Sequence, residues 1–472
     1  MKTHMKQWLC VLLALIIAFS ASVVCVAADS GCSCANTPVV FVDGIGGALY
    51  LEQDDGSREM VFPPEGDAIK DVVLKLLPYL PLMFFGPTTG VFERALSKAA
   101  GEMFETIRCD ENGNSVYNIK PGSSTAVKKE SHNDPSHRYQ FAYDWRLDPL
   151  VNAQLLDKYI DQVRSVTGHD KVILESYSEG GEVCLAYVGQ FGGAKIEKYV
   201  TLCSAFQGLT VVGSIFTGRI NVNAKQTYNF LNSILPAMFG ENKAISAAVK
   251  IGRYTGLFGI LCGAINRLIK NDFDSFYENF ALPYFGQMPG IADFVPQADY
   301  AQVRTGLADP KYENKYEKLL ERVDQYHEFQ ANAKQILSEA VDGGMKICIV
   351  SNYGCYAMPF IGQDAYQSDT LIDSANSSGG ATLAPVGQTL GDGYTQKVQD
   401  GHDHLAPDGS GDASTCMFPE STWLVRDFCH WNRPDELMSW LLRYDGQPTV
   451  FTDKRYPQFL VGHDKNQVSP MQ

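Results

Sequence analysis

Apolar and polar positions along the chain alternate between two periods. "PVVFVDGIGG" (Pro38–Gly47) is a short β-branched run entering a glycine turn, and "RYQFAYDWR" (Arg138–Arg146) is a second strand-like run. Leu150, Leu155, Leu156, Tyr159, Ile160 and Val163 then keep the three-to-four spacing of a helix. "KVILESYSEGGEVCLAYV" (Lys171–Val188) starts as a strand and ends as a helix, and "KYVTLCSAF" (Lys198–Phe206) reads as the next strand. Later, a helix is predicted from Tyr316 to Ala340, a buried strand at "MKICIVSNYG" (Met345–Gly354), a last strand at "STWLVRDFCHW", and a closing helix at "RPDELMSWLLRY". Strands alternating with helices predict an α/β fold, a mostly parallel central sheet with helices on both faces.

Two stretches interrupt the alternation. Residues 208–309 are rich in Phe, Ile and Gly with no clear strand, and are expected to form a large, mainly helical cap or lid. A smaller insertion, about 52–129, holds "VVLKLLPYLPLMFFG". The core is then 29–207 and 310–472. Lys2 and Lys6 precede "WLCVLLALIIAFSASVVCVAA", which ends in small residues at Val26-Ala27-Ala28. That is a secretory signal pattern over 1–28, so the chain is expected to be secreted, with tethering by an uncleaved segment as the alternative.

Composition narrows the partners. Hydrophobic content of 45% and charged content of 20% are those of a globular chain. The net charge is −15, and removing residues 1–28 deletes two lysines and no acid, giving −17. Such a balance argues against nucleic acid and against electrostatic capture by anionic membranes, so any lipid contact has to be apolar. Of the twelve cysteines, Cys184 and Cys203 fall in apolar patterns and read as buried thiols. Cys32 with Cys34, Cys348 with Cys355, and Cys416 with Cys429 are conceivable disulfides. No CxxC pair or dinucleotide fingerprint occurs, and no metal or organic cofactor is expected.

The strand-to-helix switch carries the chemistry. A serine hydroxyl needs a base to take its proton and N–H groups to hold the developing oxyanion. A sharp strand–turn–helix exposes one serine and aims a helix N-terminus at the reacting carbonyl. In Ser176-Tyr177-Ser178-Glu179-Gly180, Ser178 is the candidate nucleophile, with Ser176 where the first glycine of G-x-S-x-G is usual. The backbone N–H groups of Ile45 and Glu179 are the candidate oxyanion donors, although a carboxylate at Glu179 could oppose the developing charge. His430 follows the last predicted strand and is the candidate base; His402 and His404 lie in the preceding polar loop, and His132, His137 and His327 are expected to be exposed. For the acid, Asp412 in "GDAST" is favoured over Asp392 in "GDGYT". Asp144 and Arg146 are expected to form a structural ion pair.

Together these segments resemble the lecithin:cholesterol acyltransferase-like branch of the α/β-hydrolases, which includes the lysosomal phospholipase A and acyltransferase enzymes. "VVFVDGIGG" is similar to its VVLVPGxGG strand, with Asp43 in place of proline, and "FAYDWRLDP" to its PYDWR segment. "ILESYSEGGEVCLAYV" resembles its nucleophile elbow and "CIVSNYG" its acid-bearing strand, while "GDASTC" resembles GDGTVP loosely. The likeness covers about Pro38–Phe206 and Met345–Tyr444. It implies a lipase, phospholipase or lipid O-acyltransferase working through Ser178, Asp412 and His430, acting on a lipid or other ester. A non-catalytic binding protein on this scaffold and a serine peptidase of the same fold are the alternatives.

Overall fold

The computed structural model describes residues 36–45, 47–64, 71, 74–75, 77–79, 91–127, 138–239, 243–359 and 367–472. The N-terminal apolar run, His132, His137 and most of "VVLKLLPYLPLMFFG" lie outside the described residues.

The central sheet has eight strands: β1 (Val39–Val42), β2 (Arg138–Phe141), β3 (Val172–Tyr177), β4 (Ile196–Leu202), β5 (Lys346–Tyr353), β6 (Thr422–Arg426), β7 (Phe459–Gly462) and β8 (Val468–Pro470). Their order is β8-β7-β6-β5-β4-β3-β1-β2, parallel except for β8 against β7. A parallel sheet must be covered on both faces, and its strands are accordingly apolar in near-continuous runs. Val172 and Leu174 face one core, with helices α1 (Pro149–Thr167) and α2 (Gly180–Phe191). Ile173 faces the other, with Trp423, Leu437, Met438 and Leu441. The architecture is the expected α/β fold.

Two expectations change in detail. The helix predicted from Tyr316 to Ala340 is two helices, α3 (Glu317–Ala331) and α4 (Ala333–Asp342). Asn332 leaves helical geometry between them, and its side-chain amide joins its backbone N–H in donating to the Glu328 carbonyl. The closing helix α5 (Asp435–Arg443) is not the end of the core, because β7 and β8 extend the sheet beyond β6. The buried Lys198 Nζ donates to the carbonyls of Leu441 and Tyr444, placing a cation at the C-terminus of α5.

Residues 208–309 are mainly helical where described, including Ala224–Phe239, Lys243–Tyr254 and Leu257–Phe276. In the smaller insertion, Leu49–Glu52 pairs with Arg58–Phe62 and Ile119–Pro121 in a separate sheet. Asp144 and Arg146 form a buried pair, with Nε 2.9 Å from Oδ1. Arg146 also donates to the Ile107 carbonyl and the Ser115 hydroxyl, tying the segment after β2 to that insertion. No helix among the described residues is long and apolar enough to cross a membrane.

Candidate active site

The site begins where β3 meets α2. Ser178 adopts φ 55°, a left-handed conformation that costs a non-glycine residue energy and persists where packing imposes it. The packing is severe on both sides. A Cβ on Gly180 would lie 2.2 Å from the Val42 carbonyl oxygen of β1, and one on Gly181 would lie 2.5 Å from Ser204 Cβ, just past β4. Both glycines are required for α2 to start between the flanking strands. Ser176 fills the small-residue position with its hydroxyl buried, 2.9 Å from the Tyr199 hydroxyl and 2.7 Å from Ser204 Oγ. It is therefore committed to the interior, and Ser178 is the serine the turn presents.

Ser178 Oγ is 3.0 Å from His430 Nε2, and His430 Nδ1 is 2.7 Å from Asp369 Oδ2. The imidazole is held on further sides. The Tyr177 ring stacks on it at 4.8 Å, and the Tyr177 hydroxyl donates to the His430 carbonyl at 2.8 Å. The His430 amide donates to the Asp369 carbonyl. Asp369 is itself fixed, since its Oδ1 accepts from the amides of Leu371 and Ile372 at 2.9 and 2.7 Å.

The favoured acid is the main correction. Asp412 is buried in a two-stranded ladder (Thr382–Leu383 with Gly411–Asp412), where it accepts from Tyr394 Oη, Lys397 N and Ser414 N. These donors hold its carboxyl below the usual range against the opposing effect of burial, and His430 is not among them. Its alternative, Asp392, sits in an exposed turn. The carboxylate at His430 belongs to Asp369, which lies between β5 and β6, the interval expected for the acid, without a motif that marks it in the sequence.

The other histidines are elsewhere. His404 is buried between Gln458 and Asp400, at 2.7 and 2.9 Å, and His402 is beside Glu420. His327, expected to be exposed, is buried and stacks on Tyr300 at 3.5 Å.

Around the serine, Gly44 of the first glycine turn approaches so closely that a Cβ there would stand 2.4 Å from Ser178 Cβ and 2.8 Å from Oγ. That contact sets Ile45 beside the serine in the chain that follows β1. The Glu179 carboxyl is pushed well above its ordinary range by burial, and further by Asp144 and Asp293. Glu182 and Asp293 are pushed up likewise, chiefly by burial. Burial thus favours the uncharged form of the Glu179 carboxyl.

Cys203, Asp369 and His430 have potential ligand atoms within 4.8 Å of one another. Asp369 and His430 are engaged with each other, and burial pushes the Cys203 thiol well up, away from the thiolate that a metal requires.

One wall of the site is apolar. Ile45 and Trp431, next in the chain to Gly44 and His430, pack into a cluster with Leu209, Phe230, Phe258 and Met358. Three of these, Leu209, Phe230 and Phe258, come from residues 208–309, so that segment packs beside Ile45 and Trp431.

No protein-family profile matches the chain, and no curated protein matches it. Among solved structures, a chain of "The crystal structure of Tle4-Tli4 complex" is 12% identical, covering 67% of this chain and 75% of that chain, with a TM-score of 0.30.

Proposed function

We propose that this protein is a serine-dependent carboxylic ester hydrolase of lipase type. The observation that carries this reading is the contact chain from Ser178 Oγ through His430 to Asp369, at 3.0 and 2.7 Å, on a serine in the left-handed conformation. In this mechanism His430 Nε2 takes the Ser178 proton as Oγ attacks an ester carbonyl, then returns it to the leaving alcohol. Asp369 holds the tautomer with the proton on Nδ1 and stabilises the imidazolium. The Ile45 and Glu179 amides receive the oxyanion at the N-terminus of α2. Glu179 suits that role because burial favours the uncharged form of its carboxyl. Water, or a lipid alcohol, accepts the acyl group from the acyl-enzyme.

The substrate we propose is a lipid ester. The apolar cluster joining Ile45 and Trp431 to the cap supports an acyl chain beside the serine. The motif resemblance to lipid acyltransferases supports the same class, and the N-terminal charged-then-apolar run supports export. A fluorophosphonate probe followed by peptide mapping tests the nucleophile. Labelling at Ser178, lost in Ser178→Ala, is expected; an unlabelled wild-type chain would point to a binding protein on this scaffold. Turnover over short esters, long esters, phospholipids and peptides then tests the substrate, and peptide cleavage without ester cleavage would overturn the lipid assignment.

A further inference from the structure

The two segments that carry His430 and Asp369 approach each other at a second place. Cys429 immediately precedes His430, and Cys355 follows the end of β5 after one glycine. Their sulfurs stand 2.7 Å apart across a separation of 74 residues. The backbone around each is already fixed. Cys355 bridges to Ser368, its amide donating to the Ser368 carbonyl at 3.0 Å, so it lies directly beside the Asp369 segment. The Cys429 amide donates to Asn432 Oδ1 at 3.0 Å, and its carbonyl accepts from Asn352 Nδ2 at 3.0 Å. Two thiols so placed can bond with only a small side-chain rotation.

We propose that Cys355 and Cys429 are a disulfide-forming site, a covalent clamp between the acid segment and the histidine segment. The oxidant class is a small disulfide such as oxidised glutathione. Cys429, the more exposed of the two, attacks it as the thiolate and releases one thiol. The Cys355 thiolate then attacks Cys429 sulfur in the mixed disulfide and releases the second. Two protein S–H bonds become one S–S bond, the oxidant is reduced to two thiols, and the protein's two protons leave with them. This site is separate from the ester chemistry proposed above. It differs from the pairs that spacing along the chain suggests for these two cysteines, because the fold brings together ends of different strands.

The test uses the purified full chain. It is incubated with oxidised glutathione, blocked with a maleimide without reductant, digested and mapped by mass spectrometry. A cross-linked peptide pair containing Cys355 and Cys429, lost with dithiothreitol, is expected. Recovery of both as maleimide adducts, or of Cys429 only as its glutathione adduct, overturns the proposal. Opening a loop of this length by reduction should lower the Tm of the cross-linked wild type by roughly 5 °C, and Cys355→Ser should show no such response. A cross-linked chain whose Tm ignores reductant would overturn the clamp. If Cys355→Ser does not fold, the mapping and the wild-type melt decide alone.

Discussion

His430 is held to Asp369 twice. Its ring nitrogen Nδ1 faces the carboxylate at 2.7 Å, and its backbone amide donates to the same residue's carbonyl. Asp369 thus acts on both the ring's direction and the loop's position, beside the Tyr177 contacts. Asp369→Asn keeps the backbone contact and disturbs only the tautomer, so turnover of a short ester should fall by roughly 10³–10⁴ with the fold intact. Asp412→Asn should leave kcat near wild type while lowering Tm, because its three donors belong to a remote loop. The reverse ranking in a kinetic assay would return the acid role to Asp412.

Gly44 is a second sensitive point. Gly44→Ala puts a methyl group into Ser178 Cβ and Oγ. A displaced hydroxyl loses its base, so kcat should drop at least a hundredfold. Ser176→Ala instead removes a hydroxyl bonded to Tyr199 and Ser204, costing about 1–3 kcal/mol of stability with activity retained. An inactive but stable Ser176→Ala would contradict the assignment of the turn.

Glu179, Glu182 and Asp293 predict a stability that depends on pH. Burial holds all three carboxyls above their ordinary values of 4.5, 4.5 and 3.8. The folded chain keeps protons that the unfolded chain releases. Their contribution is whole below the unfolded pKa values and is lost as pH rises towards the folded ones. Between pH 5 and 7 each group should add a falling slope of at most about 1.4 kcal/mol per pH unit. Urea unfolding of Glu182→Gln should show a shallower fall than wild type; identical slopes would mean that Glu182 is ionised in the fold.

His327 predicts the opposite sign. Burial is the main cause that lowers its pKa from 6.5 to about 4. Its share of stability is present above pH 6.5 and is lost as pH falls towards 4, amounting to about 3 kcal/mol. His327→Gln should remove that acid-side loss, detectable as a smaller drop in unfolding free energy between pH 6.5 and 4.5. An unchanged drop would assign the acid lability to other groups.

The 208–309 segment carries an apolar surface. Ile251 and Tyr254 on Lys243–Tyr254, and Ile260 on Leu257–Phe276, are exposed, Tyr254 by 85%. If this edge meets lipid, Tyr254→Ser with Ile260→Ser should reduce turnover on aggregated lipid severalfold and spare a short soluble ester. With no basic excess in the chain, vesicle binding should survive high salt. Equal loss on both substrates would count against a surface role.

Much of this was legible along the chain because periodicity changes abruptly at Ser176–Gly180, and because a strand followed by Arg433-Pro434 isolates His430. Asp369 was harder. It lies in "QSDTLID", with no glycine signature, sixteen residues past the end of β5, and it is singled out only by two amides of its own turn that fix its carboxylate. The likeness of "GDASTC" to a family motif drew attention to Asp412, whose partners are as well ordered but face another loop. The burial of His327 depends on stacking against Tyr300 from a different helix, which no local pattern encodes.

The glycine pair has a mechanical consequence. Gly180 rests against a backbone carbonyl of β1 and Gly181 against a residue just past β4, so α2 is gauged from two neighbouring strands at once. Strands in a sheet keep a nearly constant spacing of about 4.8 Å. The sheet therefore serves as the ruler for the serine, and the hydroxyl inherits the stiffness of the whole hydrogen-bonded lattice instead of the softness of a loop. Substitutions far along β1 or β4 that alter the spacing or twist between strands would be felt at Ser178 before they were felt at any residue between.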